Sequence, residues 1–101
     1  MPNDNILQWL QQWFQSECNG DWEHSYGVEI ETLDNPGWSV KIDLQETSLQ
    51  SLIVPFQKVE MSEHDWFTFK VEKGKYFAHG DPMKLSLLLE KFREIVEQQA
   101  S

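Results

Sequence analysis

The chain has 101 residues, of which 40% are hydrophobic and 13% aromatic, and its formal net charge is −9. This composition predicts a single folded domain over residues 1–101 and argues against intrinsic disorder. No apolar run reaches the roughly 20 residues of a membrane-spanning helix, and the N-terminus lacks the basic start of a secretory signal, so we expect a cytoplasmic protein with no membrane partner.

The negative charge is distributed unevenly along the chain. Residues 1–46 hold nine acids and one base, whereas residues 47–101 hold eight acids and seven bases. Between Glu17 and Asp34 there are six acids and no base. Because phosphate binding needs Lys or Arg, this distribution argues against direct binding of nucleic acid and is compatible with a basic protein partner. The alternative is that the acids only keep the protein soluble.

The first half of the chain predicts a helix and a hairpin. Apolar residues recur at helical spacing over residues 4–17, with Asp4 as the N-cap and Asn19-Gly20 as the end of the helix. Residues 27–33 and 38–44 each alternate between apolar and polar residues, as half-buried strands do. Residues 34–37, DNPG, are typical of a turn, so the two strands should form an antiparallel hairpin.

The second half predicts three more strands and a second helix. A third strand is expected within residues 53–61, with Pro55 at its start or at a sheet edge, a fourth over 66–72 and a short fifth over 76–79. Asp81 and Pro82 are predicted as the N-cap and first residue of a C-terminal helix, whose apolar stripe runs from Leu85 to Val96.

The fold class is therefore α+β. An antiparallel sheet of about five strands, in the order α-β-β-β-β-β-α, should have both helices packed on one face, since their apolar stripes must be buried. The opposite face is expected to carry Glu29, Glu31, Lys41 and Asp43. That face is either solvated or a surface for a partner.

Polar and aromatic side chains are densest at residues 21–26, DWEHSY. Asp21, Glu23 and His24 include metal-ligand and acid–base residue types, but no second ligand pair and no nucleophile motif accompanies them. We therefore predict no metal, no cofactor and no catalytic residue. Trp22 and Tyr26 suit two roles, as core anchors of this segment and as aromatic contacts of a protein interface, and the sequence leaves both open.

The single cysteine, Cys18, lies near the predicted end of the first helix. The negative end of a helix dipole raises the pKa of a thiol, which disfavours a nucleophilic role, and a small buried apolar residue is the favoured interpretation. The alternative is an enzyme, a small hydrolase or a sulfur-transfer protein, that uses Cys18 or His24.

Three segments resemble the immunity protein 53 family of bacterial polymorphic toxin systems, namely LQWLQQWF, CNGDWEHSYGVEIETLDNPGWSVKIDL and DWFTFKVEKGKYFAHGDPMKLSLLLEKF. The stretch from GDWEH to TLDNPGW is the most specific part. The resemblance implies a small cytoplasmic protein that protects its own cell by binding a toxin domain. It supplies no established catalytic site, and we expect a protein that acts by binding and is not an enzyme.

We therefore predict that the acidic part of the chain binds a basic surface of this cognate toxin. If the toxin is a nuclease, the carboxylates would take the positions that phosphates normally hold. The residues predicted to contact the toxin are Glu17, Asp21, Trp22, Glu23, His24, Tyr26, Glu29, Glu31 and Asp34. An interaction scaffold without a toxin partner is the second alternative, and the sequence leaves the oligomeric state open.

Overall fold

The structure is a computed structural model that describes residues 5–100. It confirms the predicted α+β class and element order, and it adds a one-turn helix before the first strand. The elements are α1 (Ile6–Glu17), α2 (Trp22–Ser25), β1 (Val28–Leu33), β2 (Gly37–Asp43), β3 (Val54–Ser62), β4 (Asp65–Glu72), β5 (Lys75–Gly80) and α3 (Leu85–Ala100). Within the described residues, no helix is long and apolar enough to cross a membrane.

Helix α1 has Asn5 as its N-cap. The Asn5 side-chain oxygen accepts hydrogen bonds from the backbone N–H groups of Leu7 at 3.1 Å and Gln8 at 3.2 Å. These bonds satisfy two of the N–H groups that a helix leaves unpaired at its start. Asp4, the predicted cap, lies outside the described residues.

The five strands form one antiparallel sheet in the order β1-β2-β5-β4-β3. The predicted β1–β2 hairpin is present. Strands β3, β4 and β5 pair with their chain neighbours in the same way, and β5 pairs with β2 in the centre. Strand β3 lies at the edge opposite β1, which agrees with the prediction that Pro55 marks a strand start or an edge position.

The core lies between one face of the sheet and the helices α1 and α3. Val40 is opposite Ala78, and Ile42 is opposite Tyr76, and all four are almost completely buried. The Phe92 ring of α3 lies 5.1 Å from the Tyr76 ring and 4.9 Å from the Trp13 ring of α1. Both helices therefore cover the same face, as predicted.

The predicted start of the C-terminal helix is wrong. Helix α3 begins at Leu85, four residues after Asp81, and residues 81–84 form a turn that the bond from Lys84 N–H to the Asp81 carbonyl closes at 3.0 Å. The Asp81 side chain caps this turn through the Met83 N–H at 2.9 Å and also accepts the Trp66 N–H at 2.9 Å. The carboxylate therefore joins the turn to β4 and does not cap the helix.

Candidate interaction surface

Residues 18–27 connect α1 to β1, and we call this segment the corner. Hydrogen bonds from its own side chains hold its backbone in place. The Asn19 side-chain oxygen accepts the N–H groups of Asp21 at 3.0 Å and Trp22 at 2.9 Å. In the other direction, the Glu23 carboxylate accepts the N–H groups of Asn19 at 3.0 Å and Gly20 at 2.9 Å. Gly20 has φ of +89°, a conformation that favours glycine. The fold of this corner therefore depends on its polar side chains.

Trp22 attaches this corner to the core. Its ring is 1% exposed and meets the Trp13 ring edge to face, at 6.0 Å between centroids. Its indole N–H donates to the carbonyl oxygen of Gln45 at 2.9 Å. Tyr26 is half-buried, with its ring 6.1 Å from that of Trp22. In this conformation Trp22 has no surface that a partner can contact, whereas Tyr26 keeps part of its ring exposed.

The acids of the corner differ in environment. Asp21 and its neighbour His24 are exposed, whereas Glu23 is half-buried. Hydrogen bonds from its own backbone N–H and from those of Asn19 and Gly20 lower the pKa of Glu23, although burial acts in the opposite direction. Burial raises the pKa of Glu17, at the end of α1. Asp21 and His24 are thus more exposed to solvent than Glu17 and Glu23.

Strand β1 carries two more of the predicted acids on the sheet face that points away from α1 and α3, which we call the open face. Glu29 is paired in register with Lys41, and its carboxylate lies 3.3 Å from the Lys41 ammonium group. Glu31 is opposite Ser39. Together with Phe77 these residues line a shallow hollow of about 220 Å³. Glu29, Glu31 and Lys41 therefore lie on the open face of the sheet, where the sequence placed them.

The open face as a whole is mixed in charge. Asp43, also predicted there, is largely buried, because its carboxylate pairs with Lys75 and accepts the Gly27 N–H at 2.9 Å. Lys70 and Phe77 continue the row that begins with Glu29 and Lys41. The excess of negative charge is therefore at the β1 end of this face and not over its centre.

Asp34 lies at the other end of β1, in the turn that contains the cis peptide bond between Asn35 and Pro36. Six strand residues separate this turn from the corner, a length of about 20 Å. Five of the six predicted contact acids thus follow the β1 border of the molecule, whereas Glu17 lies at the end of α1, beside Trp13 and Leu49. We call this border the acidic edge, and it consists of Asp21, Glu23, Glu29, Glu31 and Asp34.

The structure gives Cys18 no sign of a nucleophile. The residue is half-buried rather than fully buried as expected, and its thiol donates to the Phe14 carbonyl oxygen at 3.2 Å. Burial and the negative charges of Glu23 and Glu17 raise the pKa of this thiol. Because the thiolate is the reactive form, these surroundings disfavour attack by Cys18. Within residues 5–100, no group of three or more His, Cys, Asp and Glu side chains is arranged to hold a metal ion.

Two features of the structure lay outside the sequence predictions. Three separate turns, at Asn35-Pro36, Glu63-His64 and Asp81-Pro82, meet around the half-buried Trp66 and leave a cavity of about 360 Å³. Strand β3 exposes several large apolar side chains at the opposite edge of the sheet from β1. The hydropathy of residues 53–61 was available in the sequence, but which edge they occupy depends on strand order.

The fold is that of a small α+β protein with a row of acidic residues along its β1 border. The model of the family described as Immunity protein 53 matches residues 7–97, so the chain belongs to that family. No curated protein and no solved structure matched the chain. Family membership indicates an immunity function in general, with a toxin protein as the partner, and suggests a non-enzymatic role.

Proposed function

We propose that this immunity protein neutralises its cognate bacterial toxin by direct binding through the acidic edge, in the cytoplasm of the cell that it protects. The carrying observation is that β1 is an edge strand whose two glutamates are exposed, next to a corner that presents Asp21 and His24 to solvent. From Asp21 to Lys41 the chain has five acids, all of them in the acidic edge, and one base. A basic toxin surface would complement this border.

The rigidity of the corner supports this proposal. The carboxylate of Glu23 and the side chain of Asn19 fix the backbone on both sides of Asp21, and the buried Trp22 fixes the segment to the core. A preorganised surface loses little conformational entropy when it binds, which favours affinity. Trp22 and Glu23 therefore act in this proposal by holding the exposed acids, and Tyr26 offers the aromatic contact.

If the toxin is a nuclease, the same surface acts as a phosphate mimic. Carboxylates on β1 and at the corner would occupy basic groups that otherwise bind the nucleic-acid backbone, because both chemistries attract Lys and Arg. The immunity protein itself would not bind nucleic acid.

The test uses the toxin domain encoded beside the gene of this protein. Glu29→Gln combined with Glu31→Gln should weaken binding at least roughly tenfold and reduce its dependence on salt, because both charges lie at the proposed contact. The matched control is Glu94→Gln with Glu97→Gln on α3, which removes two exposed, ion-paired glutamates elsewhere. The affinities are measured by calorimetry at two salt concentrations. Equal affinity of the β1 variant and the wild type would refute the proposal that the toxin binds the acidic edge.

A second experiment separates binding from catalysis. Cys18→Ala and His24→Ala remove the groups that an enzyme of this chain would use, and protection of toxin-producing cells should survive the Cys18 change in full. Loss of protection by Cys18→Ala, with folding and toxin binding intact, would favour the enzymatic alternative over the proposal. His24 lies in the proposed interface, so its variant must be judged by affinity as well as by protection.

A further inference from the structure

The sheet edge opposite the acidic edge has a different chemistry. Eight of the nine residues of β3 are exposed, so neither helix covers this strand. Phe56 is 61% exposed, Met61 76%, and Val59 41%. Edge strands that expose apolar side chains and unpaired backbone groups are templates for a further strand. Strand β3 is therefore a second candidate interface, independent of the toxin contact.

The charges of β3 are complementary to those of a second copy. Lys58 is opposite Thr68, and Glu60 is opposite Trp66, in the pairing with β4, so both charges point to the open face of the sheet. If two β3 strands pair antiparallel about Val59, Lys58 of each copy lies opposite Glu60 of the other. Opposite charges directly across a strand pair are stabilising. Val59 then faces Val59 of the second copy.

Strand β1 has the reverse property. An antiparallel pairing of two β1 strands about Ile30 places Glu29 of each copy opposite Glu31 of the other, and like charges at such positions repel. The half of the chain that contains β3 also has the smaller net charge, since residues 47–101 carry eight acids and seven bases. Of the two edge strands, β3 is thus the one that can pair with the same strand of a second copy without repulsion between like charges.

Irregularities at both ends of β3 limit the pairing to its centre. The register with β4 shifts between Val54 and Gln57 and again between Glu60 and Ser62, and Pro55 lacks a backbone N–H. The regular stretch includes Lys58, Val59 and Glu60. These are the three residues on which the self-complementary register depends.

We infer that the protein forms a homodimer in which two β3 strands pair antiparallel about Val59 and join the two sheets into one. The two-fold axis is perpendicular to the sheet, so both pairs of helices lie on the same side. The acidic edges are then at the two far borders of the joined sheet, where each remains free for a toxin. The inference does not rest on the proposed function, because it concerns the other edge.

The test is the mass of the full chain in solution, by sedimentation equilibrium over a range of concentrations. The wild type should reach twice the 11.9 kDa of one chain. Lys58→Glu and Glu60→Lys each place like charges opposite one another and should raise the dimer dissociation constant at least roughly tenfold. Both side chains are about half exposed, so the fold should persist, and circular dichroism checks it.

Charge exchange makes the test specific for this register. A mixture of the Lys58→Glu and Glu60→Lys chains should form a heterodimer, because every opposed pair is then of opposite sign, and the double variant should again form a homodimer. Lys73→Glu, in the exposed β4–β5 turn, is the control for Lys58→Glu, because it makes the same change of charge away from β3. A monomeric wild type would overturn the inference, as would a dimer that Lys58→Glu, Glu60→Lys and Val59→Asp all leave unchanged.

Discussion

Asp81 and Trp66 exchange hydrogen bonds at the end of the sheet. The Asp81 carboxylate accepts the Trp66 N–H at 2.9 Å, and the Asp81 N–H donates to the Trp66 carbonyl oxygen at 3.1 Å. The Lys84 ammonium group lies 2.8 Å from the same carboxylate. Although burial alone would raise the pKa of Asp81, the hydrogen bonds from Lys84, Met83 and Trp66 lower it to about 2.

Asp81→Asn should therefore destabilise the protein in a pH-dependent manner. A carboxyl group whose pKa is lower in the folded state stabilises the fold above its unfolded pKa of 3.8, and this contribution is lost as the pH falls towards 2. We expect the variant to lose about 1–3 kcal/mol of the free energy of unfolding near neutral pH. The difference from the wild type should shrink between about pH 4 and pH 2 in urea titrations.

Asp65→Asn is the control for that experiment. Asp65 also pairs with Lys84, at 2.7 Å, but its side chain is 55% exposed. Exposed ion pairs contribute little to stability, so this variant should stay within about 1 kcal/mol of the wild type. A loss for Asp65→Asn as large as that for Asp81→Asn would mean that the bond to the Trp66 N–H is not what makes Asp81 important.

Glu23→Gln and Asp21→Asn compare two neighbouring acids of the corner. The Glu23 carboxylate accepts the backbone N–H groups of Asn19 and Gly20, whereas Asp21 makes no side-chain cap bond to α2. Because a neutral amide accepts hydrogen bonds less strongly than a carboxylate, Glu23→Gln should lower the thermal midpoint. Asp21→Asn should leave the midpoint unchanged and weaken only toxin binding. Equal midpoints for both variants in calorimetric scans would contradict the structural role of Glu23.

The sequence predicted those elements whose pattern is local. The alternation in residues 27–33 and 38–44 and the turn between them are complete within 20 residues, so the β1–β2 hairpin follows from periodicity and turn chemistry alone. The acids of β1 could be placed on the open face for the same reason, because side chains alternate along a strand.

The features that the sequence did not predict depend mostly on contacts between residues that are distant in the chain. Asp81 before a proline suits a helix cap, and only the proximity of Trp66 in β4 shows that its carboxylate bonds elsewhere. The burial of Trp22 likewise depends on Trp13 and on the Gln45 carbonyl oxygen, 23 residues away. A one-turn helix such as α2 is too short to show helical periodicity.

Trp22→Phe and Trp22→Ala should both destabilise the protein, to different extents. The alanine change removes a ring that is 1% exposed and leaves a cavity, which costs about 3–5 kcal/mol. Phenylalanine keeps part of the ring but leaves the Gln45 carbonyl oxygen without the indole donor. Urea unfolding measures both losses, and a phenylalanine variant as stable as the wild type would show that the hydrogen bond to Gln45 contributes nothing.

Gly37→Ala should destabilise the sheet, whereas Gly27→Ala should not. A Cβ on Gly37 would overlap the carbonyl oxygen of Gly80, because β2 and β5 converge at this point, where the neighbouring Trp38 is paired with Gly80. Backbone must move to admit the methyl group, and overpacking of this kind costs about 1–3 kcal/mol. Around Gly27 no heavy atom other than those of the adjacent residues lies within 4 Å of such a Cβ. Unfolding of the two variants in urea therefore measures the close approach itself, since the added group is the same, and equal stability would contradict it.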